Sequence, residues 1–322
     1  MSFLTRTPLT EDLMPGVSPQ TIKKLAVVGI TTLEALAVTP ARQIAELTGM
    51  GLETAQKCTK LALDRVTGFR TAYEYLSATR GRPRIPTGSA ELDSILGGGI
   101  ETGIITELSG SFGSGKTQIC YTLAVTVQGE PMKAKAAVID TENTFVVGRL
   151  MQVAGARGLD SKAVMEGVLV AKSYNSDHLQ TLINSLPDAL TREKVKLVVV
   201  DSVIGHLRSE YLGRGTLADR QQKLNSMLAT LMRYAQAFDV AVVVTNQIES
   251  RPDAMFRDPN TPTGGNIMAH AGTQRIYLRK GKDNLRIAKL IDSPNLPESE
   301  ARFLITEKGI EDVVSEKEEV KK

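Results

Sequence analysis

The segment Gly110-Ser111-Phe112-Gly113-Ser114-Gly115-Lys116-Thr117 decides the fold, because it matches the phosphate-binding pattern G-x-x-x-x-G-K-[ST] in full. Its glycines let successive backbone N–H groups curl around phosphate oxygens without a Cβ in the way. Lys116 can supply a positive charge to the outer phosphates, and the Thr117 hydroxyl can coordinate Mg²⁺. The apolar run Ile104–Leu108 precedes the segment and a helical run follows it, which is the strand–loop–helix context that phosphate binding requires.

Strands and helices are predicted to alternate after this segment. Short runs rich in β-branched residues indicate buried parallel strands at Ala136–Ile139, Leu197–Val200 and Val240–Val244. Helical stretches lie between and around them at Thr117–Val127, Asp177–Leu190 and Leu217–Phe238. We therefore predict an α/β fold with a mostly parallel sheet covered on both faces, followed over Thr273–Thr306 by strands joined by turns.

Residues 1–66 predict a small helical domain, in which glycine-bearing turns at Met14–Ser18 and Thr48–Gly51 each lead into a helix. The pair of turns resembles a helix-hairpin-helix module, whose exposed N–H groups near a helix N-terminus can hold a phosphate. The first turn reads Pro-Gly-Val-Ser and lacks a second glycine. Phosphate binding and a purely contact-forming role are both open for this domain. We predict a linker over residues 67–86, a core over 87–314 and a disordered tail over 315–322, where Glu and Lys dominate.

The chain has 322 residues, 42% of them hydrophobic and 23% charged, and its formal net charge is +3. Because this balance gives no global basic field, any nucleic-acid site must be a local feature. Cys58 and Cys120 lie far apart in the sequence, which favours neither a disulfide framework nor a zinc site. The sequence shows no signal-peptide pattern and no apolar run near the ~20 residues of a membrane span, so we expect a cytoplasmic, reducing compartment.

Three of the predicted strands lead into polar side chains. Asp201 occupies the position where a carboxylate holds the hydration shell of Mg²⁺ in P-loop enzymes. Glu142 is the candidate general base, because it would project from the carboxyl end of its strand toward a nucleotide; capping of the following helix is the alternative role. Gln247 follows a third strand, where an amide can sense a γ-phosphate.

These segments together resemble the archaeal RadA recombinases and the related eukaryotic strand-exchange proteins. The resemblance rests on Gly110–Cys120, Asp140–Phe145, Leu197–Ser202, Arg214–Asn225 and Tyr277–Gly281. It extends from about Phe69 to Asp312 and implies a RecA-like P-loop ATPase core behind a small all-α helix-hairpin-helix domain. It also implies a DNA-dependent ATPase that assembles on single-stranded DNA as a helical filament or ring, pairs it with homologous double-stranded DNA and exchanges strands in recombinational repair. If the chain is archaeal, the cytoplasmic protein would be associated with the nucleoid.

The resemblance implies ATP and Mg²⁺ as cofactors, with K⁺ as a further candidate ion. Lys116 and Thr117 would bind phosphates and Mg²⁺, and Asp201 would support the metal through water. Glu142 would activate water, and Gln247 would link the γ-phosphate to DNA binding. The expected nucleotide-binding residues are Gly110, Ser111, Phe112, Gly113, Ser114, Gly115, Lys116, Thr117, Gln118, Arg149, Asp201, Asp292 and Pro297.

Other matches imply contacts between subunits. Arg149 and Pro297 match positions that flank the adenine in the family. The segment Asp292–Glu298 resembles the cap that a neighbouring subunit lays over the nucleotide. Phe69 and Ala72 match the Phe-x-x-Ala polymerisation motif, which inserts into the next subunit. ATP would therefore lie between protomers, and its binding would be coupled to assembly.

DNA contacts are expected on two loops. In the first, His206–Arg214, Arg208 and Arg214 flank Tyr211, a basic-aromatic pattern that suits a single-stranded backbone. The second, Ile248–Met268, is long and rich in Pro, Gly and Asn, and such loops in compact domains are commonly functional. Its expected DNA-facing residues are Arg251, Phe256, Arg257, Gly264, Gly265 and Asn266.

The chain departs from the family pattern beside the predicted adenine site. Family members usually carry Arg-Pro-Glu where this chain has Val146-Val147-Gly148, so charged side chains are lost there. Ser111 replaces a frequent Glu, and Asn266 stands where archaeal members often have His. The Val146–Gly148 departure favours one alternative, a recombinase paralogue that acts as a mediator with little strand exchange, whereas Glu142, Gln247, both DNA loops and the Phe69–Ala72 motif oppose it. A second alternative, independent of these departures, is an unrelated small-molecule kinase built on the same phosphate loop, which would have no use for a helix-hairpin-helix module.

Overall fold

The computed structural model describes residues 7–66, 71–73, 76, 81–250, 260–262 and 274–313. After a 3₁₀ turn at Glu11–Leu13, its amino-terminal helices are α1 (Pro19–Val27), α2 (Leu33–Val38), α3 (Ala41–Thr48) and α4 (Leu52–Val66). Ser18 begins α1 by accepting a hydrogen bond from the Thr21 N–H at 3.2 Å. Gly49 ends α3 in the left-handed conformation, with a φ of 65°, as the predicted glycine turn requires.

The core is built on one large sheet. Its strands and a small separate ribbon are β1 (Arg84–Ile85), β2 (Ile100–Glu101), β3 (Ile105–Gly110), β4 (Lys135–Asp140), β5 (Val168–Lys172), β6 (Val195–Asp201), β7 (Ala241–Ser250), β8 (Asn260–Pro262), β9 (Gln274–Lys280), β10 (Leu285–Asp292), β11 (Ser299–Thr306) and β12 (Gly309–Asp312). The sheet order is β12-β11-β10-β9-β3-β7-β6-β4-β5, with β8 paired to β7. The strands from β9 to β5 in this order are parallel, whereas β10, β11 and β12 add an antiparallel edge.

Helices cover both faces of this sheet, as predicted. They are α5 (Ala90–Ile95), α6 (Lys116–Thr126), α7 (Val147–Ala156), α8 (Ser161–Glu166), α9 (Ser176–Arg192), α10 (Gly205–Glu210) and α11 (Leu217–Phe238). Val198 and Val200 of β6 are buried in the same layer as α9 and α11. Leu197 and Val199 point to the opposite layer, which contains α6, because successive side chains of a strand alternate between faces. Among the described residues, no helix combines the length and apolar character that crossing a lipid bilayer requires.

The amino-terminal domain packs directly on the core. Helix α2 lies against α11, and Leu36 of α2 belongs to the same buried cluster as Leu228 of α11. Since burying an apolar side chain of this size stabilises a protein by roughly 1.5–3 kcal/mol, the shared cluster holds the two domains together in one chain.

The structure differs from the sequence-based predictions at three places. Residues 205–210 form the short helix α10 instead of a loop, because Leu207 is buried in the core and fixes that turn of helix. The predicted loop after Gln247 begins as strand, since β7 continues to Ser250 and pairs with β8. Arg84 and Ile85, assigned to the linker, pair with β2 and belong to the core.

Candidate nucleotide and DNA site

The carboxyl ends of the parallel strands meet at one edge of the sheet. Gly110, at the end of β3, is in register with Gln247 on β7, and Asp140, at the end of β4, is in register with Asp201 at the end of β6. The phosphate loop and the predicted acidic residues therefore lie along the same edge. This is the edge at which open α/β sheets bind ligands.

The phosphate loop requires glycine for conformation and for space. Gly113 and Gly115 have φ values of 72° and 108°, which side-chain-bearing residues rarely adopt. A Cβ on Gly110 would lie 2.5 Å from the carbonyl oxygen of Leu278. Helix α6 begins at Lys116, so its first N–H groups and the positive end of its dipole face the loop. This cradle fits an anionic phosphate.

Lys116 is held inside the loop. Only 9% of the residue is exposed, and its Nζ donates to the carbonyl oxygens of Gly110 at 2.8 Å and Ser111 at 3.0 Å. Burial lowers the pKa of the amine, while the carboxylates of Asp201 and Glu142 oppose the shift. A cation in such a low-dielectric environment interacts more strongly with a phosphate than one in bulk water.

Asp201 and Thr117 face each other beside Lys116. The Thr117 Oγ1 donates to the Asp201 Oδ2 at 2.8 Å, and the Thr245 hydroxyl donates to the other carboxylate oxygen. Burial raises the pKa of Asp201, although hydrogen bonds from both hydroxyls oppose the shift. Hydroxyl and carboxylate oxygens are the ligands that Mg²⁺ prefers, so this pair fits the predicted metal position.

The turn that presents Glu142 is fixed by Asp140. The Asp140 carboxylate accepts hydrogen bonds from the backbone N–H groups of Glu142 at 3.2 Å, Thr144 at 3.2 Å and Phe145 at 3.1 Å. Helix α7 begins after Val146, which provides no side-chain cap. Glu142 therefore does not cap this helix, and its side chain points into the cleft.

A chain of hydrogen bonds connects Glu142 to the first predicted DNA segment. The Glu142 Oε1 accepts from the Ser202 Oγ and from the Gln247 Nε2, both at 2.9 Å. The Gln247 Oε1 accepts in turn from the Arg208 Nη1 at 2.9 Å. The predicted general base, the predicted γ-phosphate sensor and a predicted DNA-binding arginine are thus in direct contact.

Lys116, Thr117, Asp201, Glu142 and Gln247 line a cleft of about 920 Å³, within the size range of small-molecule sites. Its walls are formed by Phe112, Gly113, Gly115, Lys116, Thr117, Gln118, Tyr121, Glu142, Thr144, Val146, Arg149, Gln152, Asp201, Gln247, Asn284, Arg286, Ile305, Thr306 and Glu307. Arg149 is held there by the Gln118 Oε1 at 2.8 Å and the Thr306 carbonyl oxygen at 2.6 Å. Burial lowers the pKa of Arg149, against the effects of Tyr121 and Glu307.

Asp292 and Pro297 lie away from this cleft. Strand β10 runs antiparallel to β9, so Arg286 pairs with Lys280 beside the phosphate loop, whereas Asp292 pairs with Arg275 at the other end of the strand. Both Asp292 and Pro297 are exposed. The structure does not bring these two residues to the nucleotide cleft of their own chain.

The structure describes only some of the predicted DNA-binding residues. Arg208 lies on α10, and Tyr211 is half-buried against the core, with the Lys223 Nζ at 5.7 Å from its ring centre. The backbone of Arg214 begins a 3₁₀ turn, and Ala72 of the polymerisation motif is exposed. Outside the described residues lie Phe69, Arg251, Phe256, Arg257, Gly264, Gly265 and Asn266.

The sequence reasoning missed Tyr121 and Arg286 as site residues. The Tyr121 hydroxyl donates to the Thr144 carbonyl oxygen at 3.0 Å and accepts from the Val146 N–H. Tyr121 follows Thr117 by four residues on α6, so helical spacing could have predicted it. The Arg286 Nε donates to the Gly113 carbonyl oxygen at 3.1 Å. It reaches the loop through antiparallel pairing of distant strands, for which the local sequence carries no signal.

A phosphate loop, a facing Thr–Asp pair and a glutamate beyond a neighbouring strand, on a mostly parallel sheet, define a P-loop ATPase of the RecA-like class. The sequence model of the Rad51 family matches residues 82–313, and that of the SAM-like helix-hairpin-helix tandem matches residues 9–58. The chain is 45% identical, over 93% of its length and 95% of the relative's, to the DNA repair and recombination protein RadA of Aeropyrum pernix. The chain belongs to the Rad51 family, in its archaeal RadA group.

Members of this family are DNA-dependent ATPases and strand-exchange recombinases, so the predicted family, fold class and enzyme class are confirmed. The helix-hairpin-helix match also confirms the nature of the amino-terminal domain. Family membership implies the use of ATP and Mg²⁺, DNA binding and filament formation.

Proposed function

We propose that this chain forms filaments on single-stranded DNA with ATP and exchanges that strand with homologous double-stranded DNA. The observation that carries the proposal is the convergence of Lys116, Asp201, Glu142 and Gln247 in one cleft, with a direct hydrogen bond to Arg208. A nucleotide site joined in this way to a DNA segment suits a DNA-dependent ATPase. Such a protein would act in the cytoplasm, at the nucleoid DNA.

Different cleft residues have different proposed roles in ATP hydrolysis. Lys116 would bind the outer phosphates, and the Thr117 hydroxyl would hold Mg²⁺, with Asp201 supporting the metal through water. When bound, Mg²⁺ neutralises charge on the phosphates. Glu142 takes a proton from the attacking water as general base, and Gln247 orients its amide toward the same region. K⁺ is a further candidate ligand of the phosphates, and comparison of hydrolysis in K⁺ and Na⁺ buffers tests it.

We assign the adenine side of the cleft to Arg149. The hydrogen bonds from its guanidinium to Gln118 and the Thr306 carbonyl oxygen hold it as a fixed planar surface for a base. Val146, at the start of α7, lines the same side and is 59% exposed. Val146 therefore offers the base an apolar contact where the family usually carries a charged side chain.

The segment Asp292–Glu298 is proposed to cover the nucleotide of a neighbouring copy. Its position at the far end of β10 from the phosphate loop rules out closure over its own cleft without a large rearrangement. In a head-to-tail polymer, the exposed Pro297 and Asp292 of one copy would face the cleft of the next. Nucleotide binding would then stabilise the interface by linkage.

An apolar groove at the sheet edge supports this assembly. The groove has a volume of about 130 Å³ and lies between β5, the last described strand on its side of the sheet, and α9. Ile139, Ala171 and Leu186 are among its walls. We propose that it receives Phe69 of a neighbouring copy, because an aromatic ring fills such a groove while the chain beside it adds a strand to the edge of β5.

DNA is assigned to Arg208, Tyr211 and Arg214 and to the second loop, Ile248–Met268. From the second loop we include Arg251, Phe256, Arg257, Gly264, Gly265 and Asn266. Each phosphate that these groups neutralise contributes a slope of roughly −0.7 to log K against log salt on single strands. A repeating filament can therefore bind DNA tightly although one copy carries a net charge of only +3.

A D-loop assay tests the proposed activity. We expect the wild-type protein, with ATP, Mg²⁺, single-stranded DNA and homologous supercoiled duplex, to form D-loops. Lys116→Ala and Glu142→Gln should lower DNA-stimulated ATP turnover by about 100-fold or more, since general-base catalysis alone contributes 10²–10⁴-fold. The exposed Glu300→Gln serves as the matched carboxylate control and should behave as wild type.

The same assay distinguishes the mediator alternative, which the Val146-Val147-Gly148 substitution favours. A mediator would form no D-loops alone and would stimulate those of another recombinase. That result would overturn strand exchange by this chain while leaving its ATP site intact.

A further inference from the structure

Arg208 and Glu142 hold the Gln247 side-chain amide from opposite sides. The Arg208 guanidinium donates to the amide oxygen, and the amide nitrogen donates to the Glu142 carboxylate, each at 2.9 Å. Arg208 lies on α10 and Gln247 on β7, so the contact joins a helix of the DNA segment to a strand of the nucleotide cleft.

The partners of this amide fix its orientation. A guanidinium only donates hydrogen bonds, and an ionised carboxylate only accepts them. If the Gln247 amide rotated by half a turn, its NH₂ would face Arg208 and its oxygen would face Glu142, and both contacts would become repulsive. Arg208 therefore determines that Gln247 presents its donor to Glu142. Together with the Ser202 hydroxyl, that donor occupies the Glu142 Oε1.

Packing holds helix α10 close to this carboxylate. A Cβ on Gly205, the first residue of α10, would lie 3.0 Å from the Ser202 Oγ and 3.2 Å from the Thr141 Oγ1, closer than most side-chain contacts, so glycine favours this close approach of the helix. At the other end, the Glu210 Oε1 accepts from the Ser176 N–H at 2.7 Å. With both ends fixed, the Arg208 side chain can change partner while the helix stays in place.

We propose that Arg208 is a positioning residue for Glu142, acting through the Gln247 amide, and that a DNA phosphate takes over the same guanidinium. This inference rests on the proposed roles of Glu142 and Gln247. A phosphate is a stronger acceptor for a guanidinium than a neutral amide oxygen, because the hydrogen bond is charge-assisted on both sides. Once Arg208 turns to DNA, the amide can rotate away, and the Glu142 Oε1 gains room to accept a proton from water. Without DNA, the amide keeps the base occupied and hydrolysis slow.

The test is the ATPase rate of Arg208→Gln, measured without DNA and at saturating single-stranded DNA. We expect the rate without DNA to rise by about tenfold, the factor that corresponds to one hydrogen bond, and the stimulation by DNA to fall by a similar factor. Arg208→Lys, which keeps a charged donor, should bring the DNA-free rate back toward that of wild type. Arg220→Gln, on α11, removes an arginine from the same region and should leave both rates unchanged. Thermal melting confirms that each variant is folded.

A merely DNA-binding role for Arg208 predicts a different result. Arg208→Gln would then need more DNA for half-maximal stimulation but would keep the wild-type rate without DNA, and this outcome would overturn the inference. A fall in the DNA-free rate would overturn it as well. If the wild-type protein shows no DNA-stimulated hydrolysis at all, the proposed function itself fails. The wild-type control thus separates the two failures.

Discussion

At the scale of single residues, the buried Asp201 carboxylate lowers the stability of the folded protein at neutral pH. Its carboxylate is buried, and the pKa is raised because burial penalises the charged form, even though two hydroxyls donate to it. Because the pKa of Asp201 is higher in the folded state than in the unfolded state, its contribution to the free energy of unfolding is favourable below the ordinary carboxyl pKa. That contribution is lost as pH rises through the folded-state pKa. At neutral pH the negative charge of Asp201 therefore lowers the stability of the fold, and we attribute its presence to its proposed role in binding Mg²⁺.

We therefore expect Asp201→Asn to separate stability from function. Without nucleotide at neutral pH, the Tm of the variant should equal that of wild type or exceed it by about 2–4 °C, equivalent to roughly 1 kcal/mol. The excess should disappear in acid, where the wild-type carboxyl is protonated. MgATP should raise the Tm of wild type but not of the variant, and ATP turnover should fall by about 100-fold or more, because a bound metal contributes several kcal/mol. Differential scanning fluorimetry measures the Tm changes and a phosphate-release assay measures the turnover. A variant that melts well below wild type would contradict the stability claim, and a variant with wild-type turnover would contradict the functional one.

At the scale of elements, β12, the last strand of the core, holds α5, the first helix of the core, more than two hundred residues earlier in the sequence. Asp312 on β12 accepts from the Ser89 hydroxyl at 2.6 Å and from the N–H groups of Ala90 and Glu91 at 3.0 Å each, at the start of α5. Burial alone would raise the pKa of Asp312, but these hydrogen bonds outweigh it and hold the pKa below its ordinary value. The carboxylate thus acts as a cap supplied from a distant strand.

Asp312→Asn should lower the Tm at neutral pH by about 2–4 °C, the effect of losing roughly 1 kcal/mol of capping energy. Because the pKa of Asp312 is lower in the folded state than in the unfolded state, its carboxylate stabilises the protein at pH values above the unfolded-state pKa. This stabilisation is lost as pH falls through the folded-state pKa. The difference from wild type should therefore shrink below about pH 4. Thermal melts from acid to neutral pH measure it, with Glu300→Gln as the exposed control. A constant difference across this range would contradict the cap.

The sequence predicted most elements but not their tertiary partners. Regular apolar runs predicted β3, β4, β6 and β7, because strands buried on both faces are uniformly apolar. Helix α10 escaped prediction since its polar surface resembles a loop, and only the buried Leu207 marks it as packed. Capping by Asp312 could not be predicted either, because more than two hundred residues separate the partners.

At the scale of the whole molecule, local motifs predicted the contents of the cleft, and topology decides what lies outside it. Parallel register brings Lys116, Asp201 and Glu142 together, as the strand-end pattern indicated. Antiparallel pairing of β10 with β9 places Arg286 beside the phosphate loop and Asp292 at the far end of the strand, away from the cleft. Neither position follows from the spacing of residues along the chain. The separation of Asp292 from its own cleft is the strongest structural support for a nucleotide shared between copies.

That sharing is the central claim, and electron microscopy with single-stranded DNA and a non-hydrolysable ATP analogue tests it most directly. We predict regular filaments for the wild-type protein. We predict their loss or severe shortening in Phe69→Ala, because the groove beside β5 loses its aromatic ring, and in Lys116→Ala, because the ATP phosphates are bound more weakly. Tyr174→Ala, which removes another exposed aromatic ring, is the matched control and should form normal filaments. Long, regular filaments from Phe69→Ala, or wild-type filaments that form equally well without nucleotide, would contradict the account.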